Sequence, residues 1–408
     1  MYYYFRGINL PEGGDSVKIL LAQTMEYLYG YGGANKANRN MMEWFVKQGH
    51  ECMVIMPETY MEGYEHYFIE KQEKHEIEVS KNNNRLTAYT KDGVQAYMVK
   101  GEFRLIPFLN NKIAEFQPDI IIISEEKTYV MMEEVCKLNI PTVYIAHSQP
   151  ILPFGPEAFE QHPEAVDLYR NFDGIIAVSN YIKSYFENYA NIPAKTIFFP
   201  SYGEGPYPYC GNFDNTYITA INPSALKGFP ILVGLAKRFP GQKFLAVVTW
   251  GTREEEMEIM RSIDNITIMN AVEDVNIIYK QTKVFLMPSL WGEAFGQVVV
   301  EAMLRGIPVM SSNIGGLPEA KQGLDYILPV NPIRQYEHSD DMLHKGFKPV
   351  VPEQDIEPWV EALDALIHDR DLYERLSSES REKSTKFVEN IGFDKFVDYF
   401  QELIDAKK

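Results

Sequence analysis

Short apolar runs of strand character alternate with helical stretches along the chain, and this alternation restricts the fold more than any other feature. VKILLAQ (17–23), ECMVIMP (51–57), DIIIIS (119–124), PTVYIAH (141–147), GIIAVS (174–179) and KTIFFP (195–200) read as buried strands. Helical stretches separate most of them. One is predicted from about Ala34 to Lys47, with Ala34, Ala37, Met41 and Phe45 near helical spacing and Gly49 as its stop. After an irregular break the alternation resumes with TYITAIN (216–222), KFLAVVTWG, ITIMN, KVFLMPS (283–289) and GIPVMSS. Continuously apolar strands alternating with helices imply parallel sheet covered on both faces. The fold class expected is therefore α/β, in two units.

Three segments break the rhythm. Residues 72–101 carry turn clusters at Asn82–Asn84 and at Asp92-Gly93, which suggests antiparallel hairpins inserted in the first unit. FPSYGEGPYPYCGNFDN (199–215) is rich in Gly, Pro and Tyr and suits a junction. Residues 331–352 are long enough to be a functional loop or an insertion. With 408 residues, 45% of them hydrophobic, each unit can bury its own core.

Charge narrows the partners. The net charge is -18, and both halves share it: 18 basic against 26 acidic residues up to residue 200, and 21 against 31 after it. A nucleic-acid backbone is not an expected partner, and an anionic membrane would repel this surface. The longest run of Ile, Leu or Val is IIII (120–123), so no transmembrane segment is expected. MYYYFRGINLPEGGD lacks a basic stretch followed by an apolar one, and Cys52, Cys136 and Cys210 are odd in number and widely spaced. These features read as a soluble, cytoplasmic protein without a disulfide framework.

Ligands of such sheets bind outside the carboxyl ends of the strands, so chemistry is sought there. GYGGANK (30–36) follows the first strand and opens a helix, which suits an anion on free N–H groups and equally suits a plain turn. NPSALKG (222–228) has the same placement and offers Lys227 as a point charge for a diphosphate, or as a solvated lysine. SSNIGGLPEA (311–320) brings Gly315 and Gly316 close to some neighbour, and Glu319 suits the first turn of the next helix. His147 ends a strand, where it can face a substrate or sit satisfied in the core.

WGEAFGQVVVEAMLRG (291–306) is the most informative stretch. Glu293 precedes a helix that begins at Gly296-Gln297 and ends at Gly306. Glu301 lies one to two turns inside, among Val298, Val299, Val300, Ala302 and Met303. A buried carboxylate there needs donors, and ligand hydroxyls are good ones.

The stretch GEAFGQVVVEAMLRGIPVMSSNIGGLPE resembles the signature of retaining glycosyltransferases of family 4, whose E-x7-E fits Glu293 and Glu301. The GYGG loop, QGHECMVIMP, His147, DGIIAVSNYIK and Lys227-Gly228 follow the family in order, over almost the whole chain. The resemblance implies a GT-B fold: two Rossmann-like domains facing a central cleft. The first would span 1–203, with the hairpin insert near 72–101, and be completed by a C-terminal helix at about 390–408. The second, spanning 204–389, would bind a nucleotide-sugar donor, a UDP-sugar.

By that analogy Glu301 holds ribose hydroxyls, Glu293 the donor sugar, and Lys227 the diphosphate. Phe295 and Gly296 offer backbone, Gly32 and Gly33 approach from the first domain, and His147 contacts the sugar near the reacting centre. Asn222 stands where the family usually has arginine, so one cation on the diphosphate is lost. DRD (369–371) matches the metal-binding D-x-D of another glycosyltransferase class, but it lies between two helices and reads as a capped turn. No metal and no cofactor are expected. The acceptor is left open as a soluble molecule that meets the first domain. A GT-B isomerase of nucleotide sugars and a non-catalytic nucleotide-sugar-binding partner protein are the rival readings.

Overall fold

The structure is a computed structural model describing residues 16–28, 32–58, 64–124, 128–203, 205–249, 251–338 and 347–408. The N-terminal stretch and part of the GYGG loop, Gly30 and Tyr31, lie outside the described residues.

The first sheet has nine strands: β1 (Lys18–Gln23), β2 (Glu51–Pro57), β3 (Glu78–Asn82), β4 (Leu86–Lys91), β5 (Val94–Val99), β6 (Ile120–Ser124), β7 (Thr142–Ala146), β8 (Gly174–Ala177) and β9 (Lys195–Thr196). Their order is β3-β4-β5-β2-β1-β6-β7-β8-β9. From β5 to β9 every pairing is parallel. Every residue of β6, β7 and β8 is buried, as double coverage requires. The covering helices are α1 (Gly33–Lys47), α2 (Tyr64–Glu73), α3 (Glu102–Phe116), α4 (Val130–Val135), α5 (Val166–Arg170) and α6 (Asn180–Ala190). Helix α1 turns Ala37, Met41, Met42 and Phe45 into the core, and the chain leaves it through Gly49 at φ 91.

The second sheet has six parallel strands: β10 (Tyr217–Ile221), β11 (Lys243–Val248), β12 (Ile266–Asn270), β13 (Thr282–Met287), β14 (Val309–Ser312) and β15 (Ile327–Leu328), in the order β12-β11-β10-β13-β14-β15. Helices α7 (Phe229–Arg238), α8 (Glu254–Arg261), α9 (Asn276–Tyr279), α10 (Gln297–Leu304), α11 (Leu317–Ala320), α12 (Glu357–His368) and α13 (Arg370–Glu389) follow or intervene. A hairpin, β16 (Tyr336–His338) with β17 (Phe347–Pro349), lies within the irregular stretch 331–352.

The last helix, α14 (Asp394–Lys407), packs on the first sheet's core. Phe396 meets Phe199 at 4.7 Å between ring centres, Phe400 meets Phe45 at 5.7 Å, and Lys407 Nζ reaches Asp173 at 2.6 Å. Among the described residues no helix is long and apolar enough to cross a membrane.

Two expectations change in detail. The 72–101 segment is a hairpin system, but it is not a separate insert. Strand β5 runs parallel to β2, with Met53 opposite Gln95, so the hairpins widen the main sheet. KTIFFP forms only a two-residue strand. Its Phe198 turns away to meet Phe295 at 5.3 Å and Phe387 at 5.2 Å, and its Phe199 packs on α14. Burying Phe199 and half-burying Phe198 outweighs a few more ladder bonds at a sheet edge.

Candidate functional site

The carboxyl ends of the two sheets meet along a seam. Residue Gly33 opens α1 and faces Gln297, the first residue of α10; a Cβ at Gly33 would lie 3.2 Å from the Gln297 Oε1. Two helix N-termini thus approach each other from opposite domains. Ser179 caps α6 by accepting the Ile182 N–H at 3.1 Å, and it donates across the seam to the Ala294 carbonyl at 2.5 Å. The Glu319 carboxylate crosses the other way, accepting from the Asn180 N–H at 3.0 Å, the Asn180 Nδ2 at 2.6 Å and the Tyr181 N–H at 3.4 Å. At one end of the seam Phe159 stacks on Phe347 and Trp291, with Tyr336 edge-on, and Arg334 lies 3.7 Å from Glu157.

Glu293 sits in the loop between β13 and α10 and is 8% exposed. Its Oε1 accepts from the Lys227 Nζ, from the Ser289 hydroxyl at 2.5 Å and from the Trp291 Nε1 at 2.8 Å. The Lys227 ammonium also stands 5.1 Å from the Trp291 ring centre. One cation and two neutral donors on the same oxygen satisfy this buried carboxylate and fix its direction. The loop beneath it is clamped by the glycines of SSNIGGLPEA. The Gly316 N–H donates to the Glu293 carbonyl at 2.7 Å, and side chains at Gly315 and Gly316 would collide with the backbone of residues 292–295. The neighbour those glycines approach is therefore the loop that carries Glu293.

Glu301 is 9% exposed, on the second turn of α10. The expectation of ligand hydroxyls as its donors changes in part, because the chain supplies two of its own. Lys36 Nζ, from the first turn of α1, lies 3.2 Å from Oε1, and the Tyr279 hydroxyl donates to Oε2 at 3.3 Å. Burial, reinforced by the adjacent Glu301 charge, raises the Tyr279 phenol well above its ordinary range and keeps it a donor. Arg305 donates to the Glu301 carbonyl at 2.8 Å and covers the Tyr279 ring.

The remaining sequence-picked residues have defined local surroundings. Lys227 ends a single 3₁₀ turn, and Gly228 follows at φ 77, where a side chain would run into the Pro288 carbonyl. Gly296 caps α10 at φ 104, and Gly32 precedes α1 at φ 97. The Phe295 side chain is 7% exposed and packs on Phe198 and Phe387, so only its backbone can serve a ligand. His147 is half-buried, its Nε2 2.7 Å from Asn38 Oδ1 and its ring 5.0 Å from Phe199. Asn222 adopts φ 58, which asparagine tolerates, and its Oδ1 accepts the Gly251 N–H at 3.0 Å. In DRD, Asp369 accepts from the Leu372 N–H at the start of α13, which makes it a helix cap.

Sequence reasoning gave no role here to Lys36, Tyr279, Ser289 and Trp291, and it read Glu319 only as an acid suited to its own helix start, not as a contact across the seam. Trp291 and Ser289 flank Glu293 in the chain and could have been weighed. The long-range contacts of Lys36 and Glu319 leave no local signal, since their partners lie 265 and 139 residues away.

Residues 31–199 match the family described as Glycosyltransferase Family 4, and residues 217–369 match Glycosyl transferases group 1. An uncharacterized glycosyltransferase of Haemophilus influenzae is 27% identical over 186 residues, 44% of this chain and 45% of that protein, so the chain spans just under half the length of that relative. A 42.6 kDa protein from the cps region of Klebsiella pneumoniae is 22% identical over 348 residues, covering 77% of this chain and 88% of that one. The crystal structure of Anabaena Alr3699/HepE in complex with UDP and glucose superposes with a TM-score of 0.67 at 16% identity, over 96% of this chain and 100% of that one. The two-sheet arrangement is thus the GT-B fold expected from the sequence.

Proposed function

Because the chain belongs to glycosyltransferase family 4 and group 1, matching in each of its halves, we propose that it is a retaining, metal-independent hexosyltransferase that takes its sugar from a UDP-sugar. The donor lies in the seam, with its diphosphate toward the facing N-termini of α1 and α10. Glu301 accepts from the ribose hydroxyls, Glu293 from the sugar hydroxyls, and Lys227 binds the diphosphate. Phe295 and Gly296 contribute backbone, and Gly32 and Gly33 close on the diphosphate from the first domain. His147, held by Asn38 and Phe199, meets the sugar near its anomeric carbon. Asn222 supports this wall by fastening the loop at Gly251 rather than by charge.

The observation that carries this reading is the pair of acids at α10. Both are nine-tenths buried, both are held in place, and they flank a helix N-terminus where the two domains meet. In the reaction the bond from the anomeric carbon to the diphosphate oxygen breaks, and the acceptor hydroxyl oxygen bonds to that carbon from the same face. The acceptor's proton passes to the departing diphosphate. Lys227 and the helix N-termini stabilise the charge growing on the leaving group. The acceptor is a soluble molecule, consistent with the net charge of -18, and it enters along the first domain by residues 148–163.

A thermal-shift screen of UDP-, GDP-, ADP- and dTDP-sugars tests the reading, followed by hydrolysis of the best one without acceptor. A UDP-sugar is expected to stabilise the chain and to be hydrolysed slowly with release of the same anomer. A chain that none of them stabilises and that hydrolyses none would overturn it.

A further inference from the structure

We propose that Lys36 is a second diphosphate-binding cation, delivered to the donor site from the opposite domain, and that Glu301 holds it at the seam until ribose hydroxyls take its place. The proposal rests on the nucleotide-sugar reading above.

Placement is the first argument. Lys36 lies in the first turn of α1, and the Gly33 end of that helix abuts the Gln297 end of α10. Its side chain therefore starts beside the junction of two helix N-termini, both of which favour an anion, and its ammonium reaches Glu301 on the second turn of α10. Lys227 stands on the Glu293 side of that junction and Lys36 on the Glu301 side.

Need is the second. A sugar diphosphate carries several negative charges and gains more as the sugar leaves, so one ammonium is a small counter-charge. Asn222 adds none, and its carbonyl is occupied by the Gly251 N–H.

Exchange is the third. The Lys36 side chain is 40% exposed, whereas that of Glu301 is 11% exposed. The lysine can swing toward solvent at little cost, but the acid cannot be left alone in its pocket. Ribose hydroxyls are neutral donors that satisfy Glu301 as the lysine does. When they arrive, the freed ammonium lies beside the phosphates of the same molecule. Each group trades one partner for another, and the buried carboxylate is never left without hydrogen-bond donors.

The alternative is a domain latch with no ligand role, and the two make opposite predictions. Isothermal titration compares the intact wild-type chain with Lys36→Met and Lys36→Arg, using whichever of UDP, GDP, ADP and dTDP binds best and its own nucleoside. A diphosphate contact predicts that Lys36→Met weakens the nucleoside diphosphate about tenfold or more. Nucleoside affinity is then unchanged or improved, because Glu301 has lost a competitor, and Lys36→Arg stays within about threefold of wild type. A latch predicts that Lys36→Met binds both ligands equally well or better, and that result overturns the proposal, as does an equal loss for both. A wild type that binds none of the diphosphates overturns the donor reading and this assignment together. A binding wild type with an unaffected Lys36→Met overturns this assignment alone.

Discussion

Replacing Glu319 with alanine is expected to open the seam while leaving each domain folded. Its carboxylate receives three donors at the start of α6, at 2.6, 3.0 and 3.4 Å. The longest is weak, and Asn180 is exposed, so the free energy of a buried charge network does not apply. A carboxylate at a half-exposed helix N-terminus with two good donors is worth about 1–2 kcal/mol. That shifts a closed-to-open equilibrium by about 5–30-fold. Global stability should hardly change, because the hydrophobic cores on either side of the seam are untouched. Small-angle scattering should register a larger radius of gyration, and nucleotide affinity should fall several-fold. Asn180→Ala should act in the same direction, and the double variant should be clearly less than additive. Unchanged scattering and affinity would refute the reasoning. So would a loss of stability at constant shape, which would mean that Glu319 matters only to its own helix α11.

Further outcomes follow from the same contacts. Glu293→Gln keeps an acceptor for Ser289, Trp291 and Lys227 but removes the charge, and should lower transfer about hundredfold or more with nucleotide affinity little changed; steady-state rates and calorimetry check the two halves. Glu301→Ala should weaken binding of the free nucleotide in calorimetry, since it removes the acceptor proposed for the ribose. Gly228→Ala forces a side chain into the Pro288 carbonyl at φ 77, so the melting temperature should fall by several degrees and the Lys227 loop should lose its geometry. Lys321 is 2% exposed, and burial lowers its ammonium from 10.5 to about 7. The unfolded chain then binds more protons than the folded one between those values, so this residue makes stability rise with pH across that window. Lys321→Met should remove the rise and stabilise the chain most at or below pH 7, as read by denaturant titration at pH 6.5 and 9.

Local sequence carried much of the fold because its signals are local. Five buried residues in a row in β1, and IIIIS throughout β6, can only be strands covered on both faces. Gly49, Gly296 and Gly306 mark helix ends because each adopts a positive φ there. The place of Glu293 in a loop and of Glu301 in a helix was equally legible, since Gly296 separates them. Where the reading slipped, long-range packing decided. KTIFFP has strand letters, yet Phe198 and Phe199 find deeper burial against α13, α14 and the Phe295 ring. The hairpins of 72–101 looked like an insertion because nothing in them announces that β5 will pair with β2.

The candidate site divides along the same line. The sequence by itself determined which groups stand at or just beyond the carboxyl ends of strands: Glu293, with Glu301 in the helix that follows, Lys227, His147, and the glycines that let backbone come close. That follows from strand–loop–helix order, which neighbouring residues dictate. Only the tertiary structure decided what those groups touch. It put Lys36 on Glu301 and Glu319 on α6, and it turned the glycines of SSNIGGLPEA against the Glu293 loop. It also gave Asn222 a loop to fasten. These partners come from opposite domains or distant strands, and an ion pair leaves no periodicity in the chain. It exists only once two separately folded sheets bring their strand ends together.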